Sequence, residues 1–314
     1  MSREEMDNKL TALLEQMNRC FVGKHEVCEN VLVCFLAGGH VLLEDVPGVG
    51  KTTLAKTFAA SLGLEFGRIQ FTPDTMPSDV TGLTVYDMKS GDFSYREGAI
   101  MHNIILADEL NRTSPKTQSA LLEAMAESRV TVDGTVHALP DPFMVIATQN
   151  PISFTGTYPL PEASLDRFMM RLSVGYPSED EELRMVRMHM DGSALSPCEA
   201  VLAPEDIARL RSEVAAIHIS DALLSYMQKI IDSTRRDHSI VLGASPRALI
   251  HLMMACRAKA YIAGRDYVTP DDVKAVSPAV LAHRLVVSTE MRLQKKDAAS
   301  VLTTLILKIP VPME

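Results

Sequence analysis

The stretch "HVLLEDVPGVGKTTLAKTFAASL", residues 40–62, constrains this chain more than any other. A short apolar run meets a glycine-rich turn, and a helix-like segment follows. An apolar run without polar alternation suits a strand buried on both faces, so the order reads as strand, loop and helix in a covered parallel sheet. The loop supplies Gly48, Val49, Gly50, Lys51, Thr52 and Thr53. Backbone N–H groups of such a loop, and of the helix start behind it, make a cradle for phosphate. Lys51 is expected to neutralise phosphate charge, and the Thr52 hydroxyl to reach Mg²⁺. The phosphate-loop pattern has glycine where this chain has Asp45. Aspartate tolerates left-handed backbone, and its carboxylate can point away from the ligand, while Pro47-Gly48 keeps the tight turn. A glycine-rich turn with a chance lysine is the alternative for this loop taken alone.

Further strand candidates are "FGRIQF" (66–71), "NIILAD" (103–108), "FMVIAT" (143–148) and "MMRLSV" (169–174). Parallel sheets bind ligands beyond the carboxyl ends of their strands. Three of these ends are polar: the glycine loop after Glu44, Asp108-Glu109, and Gln149-Asn150. Asp108 is expected to hold Mg²⁺ and Glu109 to act as general base on water. Asn150 either positions that water or, with Pro151, opens a turn. Arg167 and Arg171 are either solvated cations near a helix end or candidates for an arginine finger in a neighbouring subunit. Arg247 falls in the first turn of a helix, where a cation opposes the helix dipole, so it calls for an outside partner such as a γ-phosphate.

After a linker at 191–203 the pattern becomes helical. Ile207, Leu210, Val214 and Ile217 share one helix face, as do Leu223, Leu224, Met227, Ile230 and Ile231. Ser245-Pro246 and Thr269-Pro270 read as helix starts, Gly264 as a stop, and Pro278 as a break. The expected architecture is an α/β domain over 1–190, with a parallel sheet between helices, then a smaller all-helical domain over 204–314.

The 314 residues carry a net charge of −9, which argues against a broad grip on nucleic acid or an anionic membrane. The longest apolar run, Val31 to Leu43, contains Gly38, Gly39 and His40 and is too short to span a bilayer. Five scattered cysteines without a CxxC pair read as reduced thiols in the cytoplasm. The methionines around His189 read as gap fillers in a core rather than as a soft-metal site.

"LLEDVPGVGKT", "ILADELNRTSPKTQSALLEAMAE", "IATQNP", "GTYPLPEASLDRFMMRL" and "GASPRAL", in this order, resemble the MoxR family of AAA+ ATPases. The resemblance runs from about residue 21 to near the C-terminus. It implies a P-loop NTPase core, an insertion at about 71–87 and a β-hairpin at about 129–142, followed by a lid domain. It implies Walker A at 45–52, with Pro47 included, Walker B at Asp108 and Glu109, and sensor 1 at Asn150. It also implies an arginine finger at Arg167 or Arg171, sensor 2 at Arg247, and an adenine pocket to which Val22 and Gly23 contribute. The activity implied is ATP hydrolysis with Mg²⁺ in a ring, expected to be a hexamer, that remodels protein clients in a chaperone-like way. Partners with von Willebrand factor A domains are implied too. "ISFT" (152–155) departs from the family's usual stretch, and Phe154 receives no role. A DNA-handling motor and an ATP-dependent scaffold with little turnover are the rival readings. The acidic balance argues against the first and an intact Glu109 against the second.

Overall fold

The computed structural model describes residues 3–44, 48–89, 91–150, 157–190 and 198–312. Asp45 and Pro47 of the glycine loop, residues 191–197 of the expected linker, and Phe154 with the whole 152–156 loop lie outside the described residues. The chain divides into two compact units. The first comprises Met1–Glu29, His40–Leu160 and Ser173–Ile207, and the second Asn30–Gly39, Pro161–Leu172 and Ala208–Glu314.

Helices α1 (Arg3–Cys20) and α2 (His25–Leu36) precede β1 (Val41–Glu44), α3 (Lys51–Ser61) and β2 (Phe66–Gln70). Next come α4 (Pro77–Thr81), the strands β3 (Gly82–Tyr86) and β4 (Phe93–Glu97), and then β5 (Ile104–Asp108) and α5 (Pro115–Glu127). The strands β6 (Arg129–Val132) and β7 (Thr135–Ala138) lead to β8 (Met144–Gln149). They are followed by α6 (Glu162–Leu165), β9 (Met170–Leu172) and α7 (Glu179–Met190).

In the first unit β2, β5, β8 and β1 lie side by side, all parallel. One row of the register crosses Leu42, Ala147, Ala107 and Ile69. Residues beyond that row therefore emerge on one rim: Glu44, Thr148-Gln149, Asp108 and Gln70. In β1, β5 and β8 every residue but the last is buried, as their unbroken apolar runs require. The insertion extends further than the sequence suggests, because β4 pairs antiparallel with β3 and carries it to Glu97. In the second hairpin Asp133 and Gly134 both have left-handed backbone, at φ 46° and 79°. That is the turn for which Asp-Gly is suited.

Apart from β9 and a short antiparallel pair, the second unit is helical. Along the chain, α8 (Pro204–Ala216) is followed by α9 (Asp221–Arg236), β10 (Ile240–Leu242), α10 (Pro246–Ile262) and α11 (Pro270–Leu281). After them come β11 (Val286–Val287), which pairs with β10, α12 (Thr289–Leu293) and α13 (Ala298–Lys308). The Ser245 hydroxyl caps α10 by accepting from the Ala248 N–H, and Gly264 takes left-handed backbone just past its end. Of the expected α9 stripe, Leu223, Met227, Ile230 and Ile231 are buried, whereas Leu224 lies at its edge and stays exposed. Pro278 does not break its helix: α11 runs through it. Val273, Val276, Val280 and Leu281, on both sides of the proline, are buried to within 1 %. Packing of that apolar face outweighs the hydrogen bond that proline cannot make. No helix among the described residues is long and apolar enough to cross a membrane.

Asp272 ties the start of α11 in place. Its carboxylate accepts from the Thr269 N–H at 2.8 Å and from Arg265 Nη1 at 2.7 Å. Burial alone would raise its pKa, but the Arg265 guanidinium and the Thr269 donors outweigh burial and hold it below the usual carboxylate value. A depressed folded-state pKa contributes stability that is present above the unfolded value and lost as pH falls through the folded one. Asp272→Asn should cost about 2–3 kcal/mol at neutral pH and flatten the acid limb of the stability profile, as read by urea unfolding at stepped pH.

Candidate functional site

On the rim of the parallel sheet lies a cleft of about 370 Å³. Gly48, Gly50, Lys51 and Thr52 line one part of it, and Asp108, Glu109 and Asn150 another. Gly48 and Gly50 hold left-handed backbone, at φ 87° and 85°, which a side chain would resist. Gly50 is also the N-cap of α3 and brings no capping side chain. The first N–H groups of α3 are thus left for an anion.

Thr148, at the end of β8 and 2 % exposed, organises the two acids. Its hydroxyl donates to Asp108 Oδ1 at 2.7 Å and accepts from the Glu109 N–H at 2.8 Å. Glu109 itself sits at φ 56°, a left-handed conformation that costs a residue with a Cβ about 1–2 kcal/mol. The Thr148 bond helps to hold it there. The far sides of both carboxylates are taken by β2 and its neighbours. Arg68 Nη2 donates to Asp108 Oδ2 at 2.7 Å and to Gln70 Oε1 at 2.8 Å. Gln70 Nε2 donates to Glu109 Oε2 at 3.0 Å, and Arg112 pairs with the same oxygen at 3.3 Å. Asn111 Nδ2 donates to the Asn150 carbonyl at 3.2 Å, linking the segment after β5 to the end of β8.

A second cleft, of about 420 Å³, shares Gly48 and Gly50 with the first. Its walls are Phe21, Val22, Val49, Tyr176, Met185 and Val186, with Thr53 also lining it. Gly23 follows Val22 at φ 76°, left-handed backbone that a residue with a Cβ adopts only under strain. Lys24 Nζ donates to the Tyr176 carbonyl at 2.9 Å and fastens this wall. The pair of clefts offers a polar end for phosphates and an apolar end for a flat ring.

Arg167, Arg171 and Arg247 belong to the second unit. Arg167 lies in the turn after α6, Arg171 in β9 and Arg247 in the first turn of α10. Asp166 joins two basic groups of this unit, Arg284 and Arg247. Its carboxylate accepts from Arg284 Nε at 2.8 Å and from the Ser245 hydroxyl at 3.0 Å, and faces Arg247 Nη1 at 3.6 Å. Arg284 is buried, and burial pushes its guanidinium pKa down while Asp166 works against the shift. It also donates to the backbone carbonyls of Phe168 and Val280.

Residues 40–170 match the ATPase family associated with various cellular activities (AAA), and residues 232–305 match the AAA lid domain. A crystal structure of a candidate ATPase from Cytophaga hutchinsonii superposes with a TM-score of 0.92 at 35 % identity, covering 99 % of this chain and 97 % of that one. The chain is similar to YeaC of Bacillus subtilis, at 47 % identity over 99 % of this chain and 98 % of YeaC. It is also similar to chaperone MoxR1 of Mycobacterium tuberculosis, at 42 % identity over 87 % of this chain and 74 % of MoxR1. The chain belongs to the MoxR family of AAA+ ATPases.

Several residues of this MoxR-family cleft escaped sequence reasoning. Thr148 was visible only as the letter before Gln149-Asn150, and Arg68 and Gln70 only as polar positions in a strand. Tyr176, Met185 and Val186 carry no motif, and their place in the apolar cleft follows from the fold. Of the methionines read as core gap fillers, Met169 and Met170 are buried, whereas Met185 and Met190 are exposed, so the core reading holds for only part of the set. The Asp166 network separates two kinds of ion pair. Asp166→Ala leaves Arg284 buried without its carboxylate and should cost about 3 kcal/mol or more. Arg247→Ala, whose side chain is half exposed, should stay within about 1 kcal/mol of the wild type in the same urea titration.

Proposed function

We propose that this MoxR-family chain binds ATP with Mg²⁺ and hydrolyses it. The observation that carries the reading is the convergence of Lys51, Asp108, Glu109 and Asn150 on one cleft. The cleft suits the group: a Cβ on Gly48 would meet nothing within 4 Å, which leaves room for phosphate oxygens. The Thr52 hydroxyl and the Asp108 carboxylate are the hard oxygen donors that Mg²⁺ prefers. Thr52 and Asp108 would hold the ion, which would supply positive charge to offset that of the phosphates.

Lys51 neutralises the same phosphates, and the N–H groups of Gly48, Val49, Gly50 and Thr53 cradle them. Phe21, Val22 and Tyr176 pack the adenine, and Gly23 lets the chain turn beside it. Asn150 orients the attacking water and Glu109 takes its proton. For that, the Glu109 carboxylate first leaves Gln70 and Arg112, which hold it in the state described here. Arg167 or Arg171 is given to a neighbouring subunit as an arginine finger, which can contribute ~10³–10⁵-fold in rate. Arg247 answers to the γ-phosphate, so that nucleotide state controls the lid over 204–314 relative to the nucleotide-binding domain over 1–190.

Activity then needs a ring, a hexamer in our reading, and the work done is chaperone-like remodelling of a protein client in the cytoplasm. A client with a von Willebrand factor A domain fits this reading. The name of the relative chaperone MoxR1 supports the chaperone part. Glu109→Gln should keep ATP affinity and lose at least ~10²-fold in phosphate release. Specific activity should rise with protein concentration as subunits assemble. Arg167→Ala and Arg171→Ala subunits, each mixed with Glu109→Gln subunits, should recover activity only where the finger was the missing part. Wild-type phosphate release by Glu109→Gln overturns the reading.

A further inference from the structure

Two cysteines that nucleotide chemistry leaves unused meet in the first unit. Cys20 ends α1, and Cys198 lies 178 positions away, yet their Sγ atoms are 3.4 Å apart and share a hydrogen bond. Both are partly exposed, whereas Cys28, Cys34 and Cys256 are buried. Burial pushes the Cys28 thiol up to about 12 and raises Cys34 and Cys256 as well, so these three stay protonated and unreactive. The Cys198 thiol is raised by burial and then by its bond to Cys20.

The approach is held by ordered backbone on both sides. Gln16, one turn before Cys20, donates through Nε2 to the Ser61 hydroxyl and to the Glu199 carbonyl, each at 2.8 Å. The Val201 N–H donates to the Ser61 carbonyl at 2.8 Å. Residues just after Cys198 are therefore fastened to the end of α3, the helix that begins at Lys51. Cys20 and the following Phe21 and Val22 line the apolar cleft. A disulfide has an S–S distance of about 2.0 Å, so the bond requires the sulfurs to close by about 1.4 Å from their present separation.

We propose that Cys20 and Cys198 form a redox modification site that a hydroperoxide closes to an intramolecular disulfide. The Cys20 thiolate attacks one peroxide oxygen, the O–O bond breaks, and the leaving hydroxide takes a proton and departs as water. Cys20 is then a sulfenic acid. The Cys198 sulfur gives up its proton and attacks the Cys20 sulfur, the S–O bond breaks, and a second water leaves. Two thiols lose two electrons and two protons, and one hydrogen peroxide becomes two waters. A dithiol reductant reverses the bond by exchange. The staple ties the wall of the apolar cleft to the segment that runs into α8.

The test treats the full-length protein with hydrogen peroxide, then quenches and alkylates it under denaturing, non-reducing conditions. The expected result is loss of two alkylatable thiols, a cross-linked Cys20–Cys198 peptide in the digest, and reversal by dithiothreitol. Because the loop closed is long, thermal unfolding of the oxidised protein should shift upward by roughly 5 °C. Cys20→Ser and Cys198→Ser proteins, each first shown to unfold near the wild-type temperature when reduced, should show neither the cross-link nor the shift. The proposal is overturned if both thiols remain alkylatable, if Cys20 oxidises to a sulfinic acid while Cys198 stays free, or if the disulfide joins two chains. None of these readouts involves nucleotide, so this outcome and that of the ATPase reading are separable.

Discussion

Parallel pairing of β1, β8, β5 and β2 in one register is the constraint on which the site depends. Because the four strands point the same way and are aligned row by row, their carboxyl ends reach the solvent together. Each end can then be polar without placing a charge in the core. The buried bodies of β1, β5 and β8 supply stability, and the last residue of each strand is polar. A slip of one residue in any pair would turn its apolar set towards the wrong face and withdraw its polar end from the cleft. The glycine loop adds the other wall, since the left-handed backbone at Gly48 and Gly50 brings N–H groups to where the strand ends converge.

Within this frame one small side chain coordinates both acids. The Thr148 hydroxyl uses its donor on Asp108 and its acceptor capacity on the Glu109 N–H. A buried hydroxyl satisfied on both sides carries no desolvation penalty and fixes the two groups relative to one another. Arg68, Gln70 and Arg112 then occupy the outer oxygens of those carboxylates. In the second unit Asp166 has a comparable part for Arg284, Ser245 and Arg247, with most of its energetic weight on the buried Arg284.

Much of this was legible in the letters. Strand positions came from unbroken apolar runs, helix starts from Ser-Pro and Thr-Pro, and the hairpin turn from Asp133-Gly134, because each of those signals is local. Lys51, Asp108, Glu109 and Asn150 were legible because each stands at a junction where a strand gives way to a loop or helix. Pro278 misled for the same reason: a local rule against proline in helices says nothing about the apolar face that packs on either side of it. Leu224 fell outside its stripe because helical periodicity alone does not say how wide the covered face is.

What the sequence by itself determined was the order of strand, loop and helix, the polar strand ends and the MoxR-family motifs they carry. Those are properties of neighbours along the chain, set by backbone preference and by the period of apolar residues. What only the tertiary structure decided was which distant side chains meet. Thr148 reaches Glu109 across 39 positions, Arg68 reaches Asp108 across 40, and Cys20 reaches Cys198 across 178. No local preference encodes such meetings. They arise because packing of the sheet and its helices brings separate segments to one surface, and their geometry exists only once that packing is complete.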